Sequence, residues 1–120
     1  MHGDGNQTRC FCHVDDTSRA LVELLGHGGL WGEIYNVGST ESLTINELAE
    51  RVLAAAGSSS SLTYIPYDQV YGHGIEEMFH RIPDLAKIHA AIGWEPSIGL
   101  DRILAEVVAE QRGAGIAKRA

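Results

Sequence analysis

The chain has 120 residues, 44% of them hydrophobic, and a formal net charge of -7. That is enough apolar material for one small domain with a modest core and too little for two. The acidic balance excludes non-specific nucleic-acid binding, which runs on clustered Lys and Arg, so any anionic ligand must be met by a local group of arginines.

In chain order, Gly3-Asp4-Gly5-Asn6 is turn chemistry, because glycine and asparagine tolerate the positive φ of tight turns. Arg9 to Val14 alternates, with Cys10, Cys12 and Val14 on one side and Phe11 and His13 on the other, which predicts a strand. Asp15 or Asp16 is the expected cap of a helix over about Asp16 to Leu25, with a stripe of Thr17, Ala20, Leu21, Leu24 and Leu25 and a stop at Gly26. Glu33 to Gly38 reads as a short strand. Thr44 and Glu47 form a capping box, with Leu43 and Leu48 as its staple, at the start of a second helix. Its inner face is Ile45, Leu48, Ala49, Val52, Leu53 and Ala56, and Gly57 ends it.

Leu62 to Ile65 alternates until Pro66, which cannot donate to a ladder. Tyr67 to His80 has no periodicity and reads as a long ligand-covering loop. Asp84 is expected to cap a third helix, Leu85 to Ile92, with Leu85, Ile88, Ala91 and Ile92 inward and Gly93 as its end. After the Trp94-Glu95-Pro96 corner, a fourth helix covers about Leu100 to Gln111, and residues 113–120 read as a flexible tail.

No apolar run approaches the roughly 20 residues of a membrane helix, and the start has neither the basic nor the apolar region of a secretory signal. Cys10 and Cys12 are too close along one strand for an unstrained disulfide, which points to reduced thiols and a cytoplasmic protein. The Cys10-Phe11-Cys12-His13 cluster lacks a second Cys/His pair at finger-like spacing, and its thiols and imidazole fall on opposite faces, so no metal site is expected. Nor does any cysteine or histidine sit in the signature of a nucleophilic enzyme.

The run Gly3-Asp4-Gly5-Asn6-Gln7-Thr8-Arg9-Cys10-Phe11-Cys12-His13-Val14-Asp15-Asp16 resembles the "GDGxQxRxFxxVDD" segment of the extended short-chain dehydrogenase/reductases, the NAD-dependent nucleotide-sugar epimerases, dehydratases and decarboxylases. Further on, His80-Arg81-Ile82-Pro83-Asp84-Leu85-Ala86-Lys87, followed by Gly93-Trp94-Glu95-Pro96, resembles that family's "R-x-P-D-x-x-K" and "GWxP" block. The resemblance implies a mixed α/β fold with a small sheet and about four helices, the C-terminal substrate-binding lobe of a Rossmann-type enzyme. Residues 1–112 would be that portion, joined in the parent to an N-terminal Rossmann domain, and Glu33–Gly38 would be a buried parallel strand near the nucleotide pocket.

From the residues alone, Arg9 reads first as a surface arginine paired with Asp4 or Asp15, and Arg81 as one paired with Glu76, Glu77 or Asp84. The resemblance reverses both readings: two guanidiniums, each a planar fork of donors, would converge on the diphosphate of a nucleotide sugar. Gln7 would accompany them, and Phe11 or Tyr71 would border the base or sugar. No residue carries the family's catalytic roles. The glycine-rich strand-to-helix turn for the NAD pyrophosphate and the Tyr-x-x-x-Lys pair are not found in the sequence. NAD is thus expected in the parent and not on this chain alone, and turnover by this chain is not expected. The rival reading is a non-catalytic module that binds a partner, or forms oligomers, through exposed apolar helix stripes. The nucleotide, the sugar and the choice among epimerase, dehydratase and decarboxylase stay open.

Overall fold

The computed structural model describes residues 1–71 and 78–117. In order, the elements are β1 (Thr8–Cys10), α1 (Val14–Gly26), β2 (Ser42–Thr44), α2 (Ile45–Ala56), α3 (Tyr67–Tyr71), α4 (Ala86–Ile92) and α5 (Leu100–Ala117). β1 and β2 pair in a two-stranded sheet. No helix among the described residues is long and apolar enough to cross a membrane.

The chain divides into two compact units. Unit one comprises Met1–Arg9, Leu43–Arg81 and Leu104–Ala120. Its longest element confined to that unit is α2, whose start follows local chemistry closely. Thr44 accepts the Glu47 N–H at 3.1 Å, and the Glu47 carboxylate accepts the Thr44 N–H at 2.7 Å. Two donors left without helical partners are thereby satisfied reciprocally. These hydrogen bonds also hold the Glu47 carboxyl below its usual range. At the far end, Gly57 adopts the left-handed conformation, which costs a residue without Cβ little. Thr44→Ala is expected to remove about 1 kcal/mol of stability, read as a lower urea midpoint at unchanged slope. The predicted inner face of α2 is only half covered: none of its residues is fully buried, and Val52 is exposed.

Unit two comprises Cys10–Ser42 and Ile82–Ile103. Ala20, Ile88 and Trp94 form its core, with Cys12, Leu24, Tyr35, Val37, Leu85 and Ile92 packed around them. The α1 stripe is narrower than its sequence suggests, since Ala20 is buried whereas Leu21 and Leu25 are exposed.

Several expectations are corrected. His13, not Asp15 or Asp16, caps α1, its Nδ1 accepting the Asp15 N–H at 3.1 Å. Both aspartates lie in the first helical turn, where negative charge faces the positive end of the helix dipole. The first strand ends at Cys10, because the chain must leave the ladder to enter α1. Glu33–Gly38 forms no strand: no neighbouring strand pairs with it among the described residues, and Ile34 is exposed. Leu62–Ile65 yields one parallel bridge, between His2 and Ile65. The expected Tyr67–His80 loop opens with α3, while residues 72–77 lie outside the described residues. α4 begins at Ala86, with Leu85 in the cap position, although the Asp84 carboxylate does accept the Ala86 N–H at 2.9 Å. The last helix continues beyond Gln111 to Ala117, through part of the expected tail.

Candidate functional site

The turn before β1 is fixed from both sides. Asp4 accepts the Asn6 backbone N–H and the Asn6 side-chain amide, each at 2.9 Å, and these bonds lower the Asp4 pKa. The main chain then docks on the start of α2: the Ile45 N–H donates to Gln7 O at 3.1 Å and the Asn46 N–H to Gly5 O at 3.0 Å. The approach is close enough that a Cβ on Gly5 would lie 2.2 Å from Asn46 Oδ1, at a φ of 75°. Only glycine fits there. β1 therefore starts from a rigid base.

Arg9 holds the segment that follows the undescribed residues. Its Nη1 donates to Thr8 O at 2.7 Å and to Met78 O at 2.8 Å. The Thr8 N–H donates to Phe79 O at 2.8 Å, and Thr8 Oγ1 meets His80 Nδ1 at 3.0 Å. Residues 78–81 thus run alongside β1. Thr8 and His80 meet side chain to side chain there, and Arg81 is the next residue along the chain.

Arg9 was expected to meet either carboxylates or a phosphate. Its protein partners are carbonyls, and they engage one nitrogen of the guanidinium. The Nε–Nη2 edge has no partner among the described residues. That edge is the planar fork that binds a phosphate or carboxylate bidentately. Gln7 is 6% exposed, and its buried Oε1 has no hydrogen-bond partner among the described residues. A buried carbonyl oxygen left unpaired is costly and marks a place where a donor is missing. Arg81 is exposed. Gln7, Arg9 and Arg81 all belong to unit one, as does Tyr71, the last residue of α3. Phe11 is half-buried in unit two.

The cofactor question has a local answer. A dinucleotide pyrophosphate needs a glycine-rich turn opening a helix whose first N–H groups are free. Here Gly3-Asp4-Gly5 opens β1, and the first N–H groups of α2 are taken by Gly5 O, Gln7 O and Thr44 Oγ1. The start of α2 therefore has no free N–H groups of that kind to offer a pyrophosphate. Among the described residues, no group of three His, Cys, Asp or Glu could hold a metal ion.

Residues 1–107 match the family model described as GDP-mannose 4,6 dehydratase. The chain belongs to this family. A UDP-N-acetyl-alpha-D-glucosaminuronate decarboxylase from Bacillus cytotoxicus is 34% identical over 108 residues, covering 90% of this chain and 33% of that protein. A dTDP-glucose 4,6-dehydratase from Streptomyces venezuelae, solved with NAD and TYD bound, superposes with a TM-score of 0.78 at 31% identity, over 93% of this chain and 33% of that one. A UDP-glucose 4-epimerase from Thermotoga maritima, solved with UDP-glucose, gives 0.81 at 26% identity, over 95% and 34%. The chain thus spans about a third of the length of these relatives. The epimerase and the dehydratase share its mixed α/β fold, as the sequence resemblance implied, with five helices among the described residues where about four were expected.

The sequence pattern does not reveal the role of Asp16, which looks like a helix cap, whereas the Ser97 and Ile98 N–H groups donate to it from 81 and 82 residues away.

Proposed function

We propose that this chain is the nucleotide-sugar-binding portion of a cytoplasmic, NAD-dependent epimerase, dehydratase or decarboxylase, with residues 1–112 forming that portion. Arg9 and Arg81 bind the diphosphate, Gln7 offers a hydrogen-bond acceptor beside them, and Phe11 and Tyr71 border the base or sugar. NAD and the proton-transferring residues belong to the rest of the parent enzyme. The observation that supports this reading is the Nε–Nη2 edge of Arg9, which has no partner among the described residues while Nη1 is held by Thr8 O and Met78 O.

Calorimetric titration with UDP-, dTDP-, GDP- and CDP-sugars tests it. One nucleotide class is expected to bind, with affinity falling about tenfold or more in Arg9→Ala and in Arg81→Ala, the effect of losing a charge-assisted hydrogen bond. Absence of binding in a folded sample would contradict the reading. It would favour a module that associates through apolar surface, for which Leu25, Trp31 and Ile34, exposed at 74%, 79% and 84% in unit two, provide the material.

A further inference from the structure

We infer that Lys87 is a positioning residue: with Pro83 and the Asp84 carbonyl it forms a rail that holds residues 33–38 in a strand-like course, although no strand pairs with them among the described residues. In the motif Arg81-Ile82-Pro83-Asp84-Leu85-Ala86-Lys87 the arginine has a place in the diphosphate reading, which leaves Pro83 and Lys87 without one. Both touch the same segment of unit two. Lys87 Nζ donates to Glu33 Oε2 at 2.7 Å, and Asn36 Nδ2 donates to Asp84 O at 3.2 Å. A Cβ on Gly38 would lie 3.0 Å from Pro83 Cγ, so the backbone passes directly against the proline ring.

A strand is ordinarily fixed by its ladder of backbone hydrogen bonds. Among the described residues, the N–H groups of residues 34–38 have no backbone acceptor, and the Glu33 N–H reaches only back to Leu30 O at 3.3 Å. Exposure nevertheless alternates with the two-residue period of extended chain: Tyr35 and Val37 pack on the unit-two core, while Ile34 and Asn36 are exposed. Core packing fixes the inner side of the later half. Lys87 acts at the open end, where Glu33 and Ile34 both stand in water. Its ammonium is shared between the Glu33 carboxylate and the Tyr35 ring, whose centroid lies 4.9 Å away, within cation–π range. An exposed ion pair alone fixes little, but here one cation holds two residues of the same segment at once. The hydrogen bond between the partners lowers the Glu33 pKa and raises that of Lys87, so each stabilises the charged form of the other.

Backbone 15N relaxation tests the rail without any nucleotide, so its outcome is separate from that of the diphosphate reading. In the wild-type chain the Glu33 and Ile34 amides are expected to be as ordered as those of α4, with order parameters of about 0.85. Lys87→Met is expected to bring both below about 0.6, the flexible range, while α4 and Val37 keep their order. Lys87→Arg, which keeps the cation, is expected to restore the order at both residues. Glu33→Gln is expected to show the same loss as Lys87→Met, and the double variant no more than either single, because the two side chains act through one contact. Should Lys87→Met fail to fold, Glu33→Gln leaves α4 untouched and carries the test. Wild-type order at Glu33 and Ile34 in either single variant would overturn the inference. So would a loss in Lys87→Met that Lys87→Arg does not restore, because the side chain would then act through its packing and not its charge.

Discussion

Asp16→Ala should destabilise the chain by about 3–5 kcal/mol, the range for stripping one partner from a buried charged network. Asp16 is 1% exposed. Its carboxylate accepts four donors: Arg19 Nη2 at 2.8 Å, the Ser97 N–H at 2.9 Å, Ser97 Oγ at 2.8 Å and the Ile98 N–H at 2.8 Å. Its side chain thus ties the first turn of α1 to the segment that precedes α5, and alanine would leave two backbone N–H groups without their acceptor. Burial alone would raise the Asp16 pKa, but the hydrogen bonds from Arg19, Ser97 and Ile98 outweigh it and hold the carboxyl far below its ordinary range. The sign for stability follows. The folded state binds the Asp16 proton more weakly than the unfolded chain. The contribution is therefore complete above the unfolded carboxylate value of about 3.9 and is lost as pH falls through the acid range toward the folded value. Urea titrations at a series of pH values between 6 and 2 should show wild-type stability falling faster than that of Asp16→Asn. Parallel pH profiles would contradict the role given to this carboxylate.

Trp94→Ala should cost a comparable 3–5 kcal/mol, the usual loss for a large aromatic removed from a packed core. Trp94 is 1% exposed, shares the unit-two core with Ala20 and Ile88, and donates its indole N–H to Asp16 O at 3.1 Å. The Arg19 guanidinium stands 5.6 Å from its ring centroid, within cation–π range. Trp94→Phe separates these contributions, since it keeps most of the apolar volume and loses the indole donor. It should fall well short of the alanine loss. Because Trp94, Asp16 and Arg19 touch one another, the double variant Asp16→Ala/Trp94→Ala should lose less than the sum of the singles. Thermal or urea unfolding reads all of these, and strict additivity would mean that the three side chains do not act as one unit.

What was legible in the sequence was what is decided locally. The capping box of Thr44 and Glu47 and the glycine stop at Gly57 depend on residues within a turn of one another, and α2 runs between them as read. Gly93 ends α4 for the same kind of reason. Periodicity also found α1, but it could not say how wide a stripe would be covered, so Leu21 and Leu25 were read as inner residues and stand exposed. Strands were the weakest reading, because a strand exists only with a partner. Glu33–Gly38 has an extended pattern and no described neighbour to pair with.

The site divides in the same way. Gln7, Arg9 and Arg81 stand out by motif, and all three belong to unit one, where Thr8 and Arg9 hydrogen-bond to residues 78–80. That Arg9 would also grip Met78 O, and so hold the segment bearing the second arginine, depends on a contact 69 residues distant. No local pattern encodes it. The same holds for Asp16, which looks like a cap until the chain returns at Ser97.

The central claim is that unit one binds a nucleoside diphosphate through two arginines. Arginine side-chain NMR tests it most directly, following the Nε–Hε resonances of this chain, assigned by Arg9→Lys and Arg81→Lys, during titration with the tightest-binding nucleotide. The account predicts that the Arg9 and Arg81 signals move together and saturate at the same nucleotide concentration while that of Arg19, held by Asp16, stays in place. Binding that leaves both signals unmoved, or no binding by the folded chain, would contradict it.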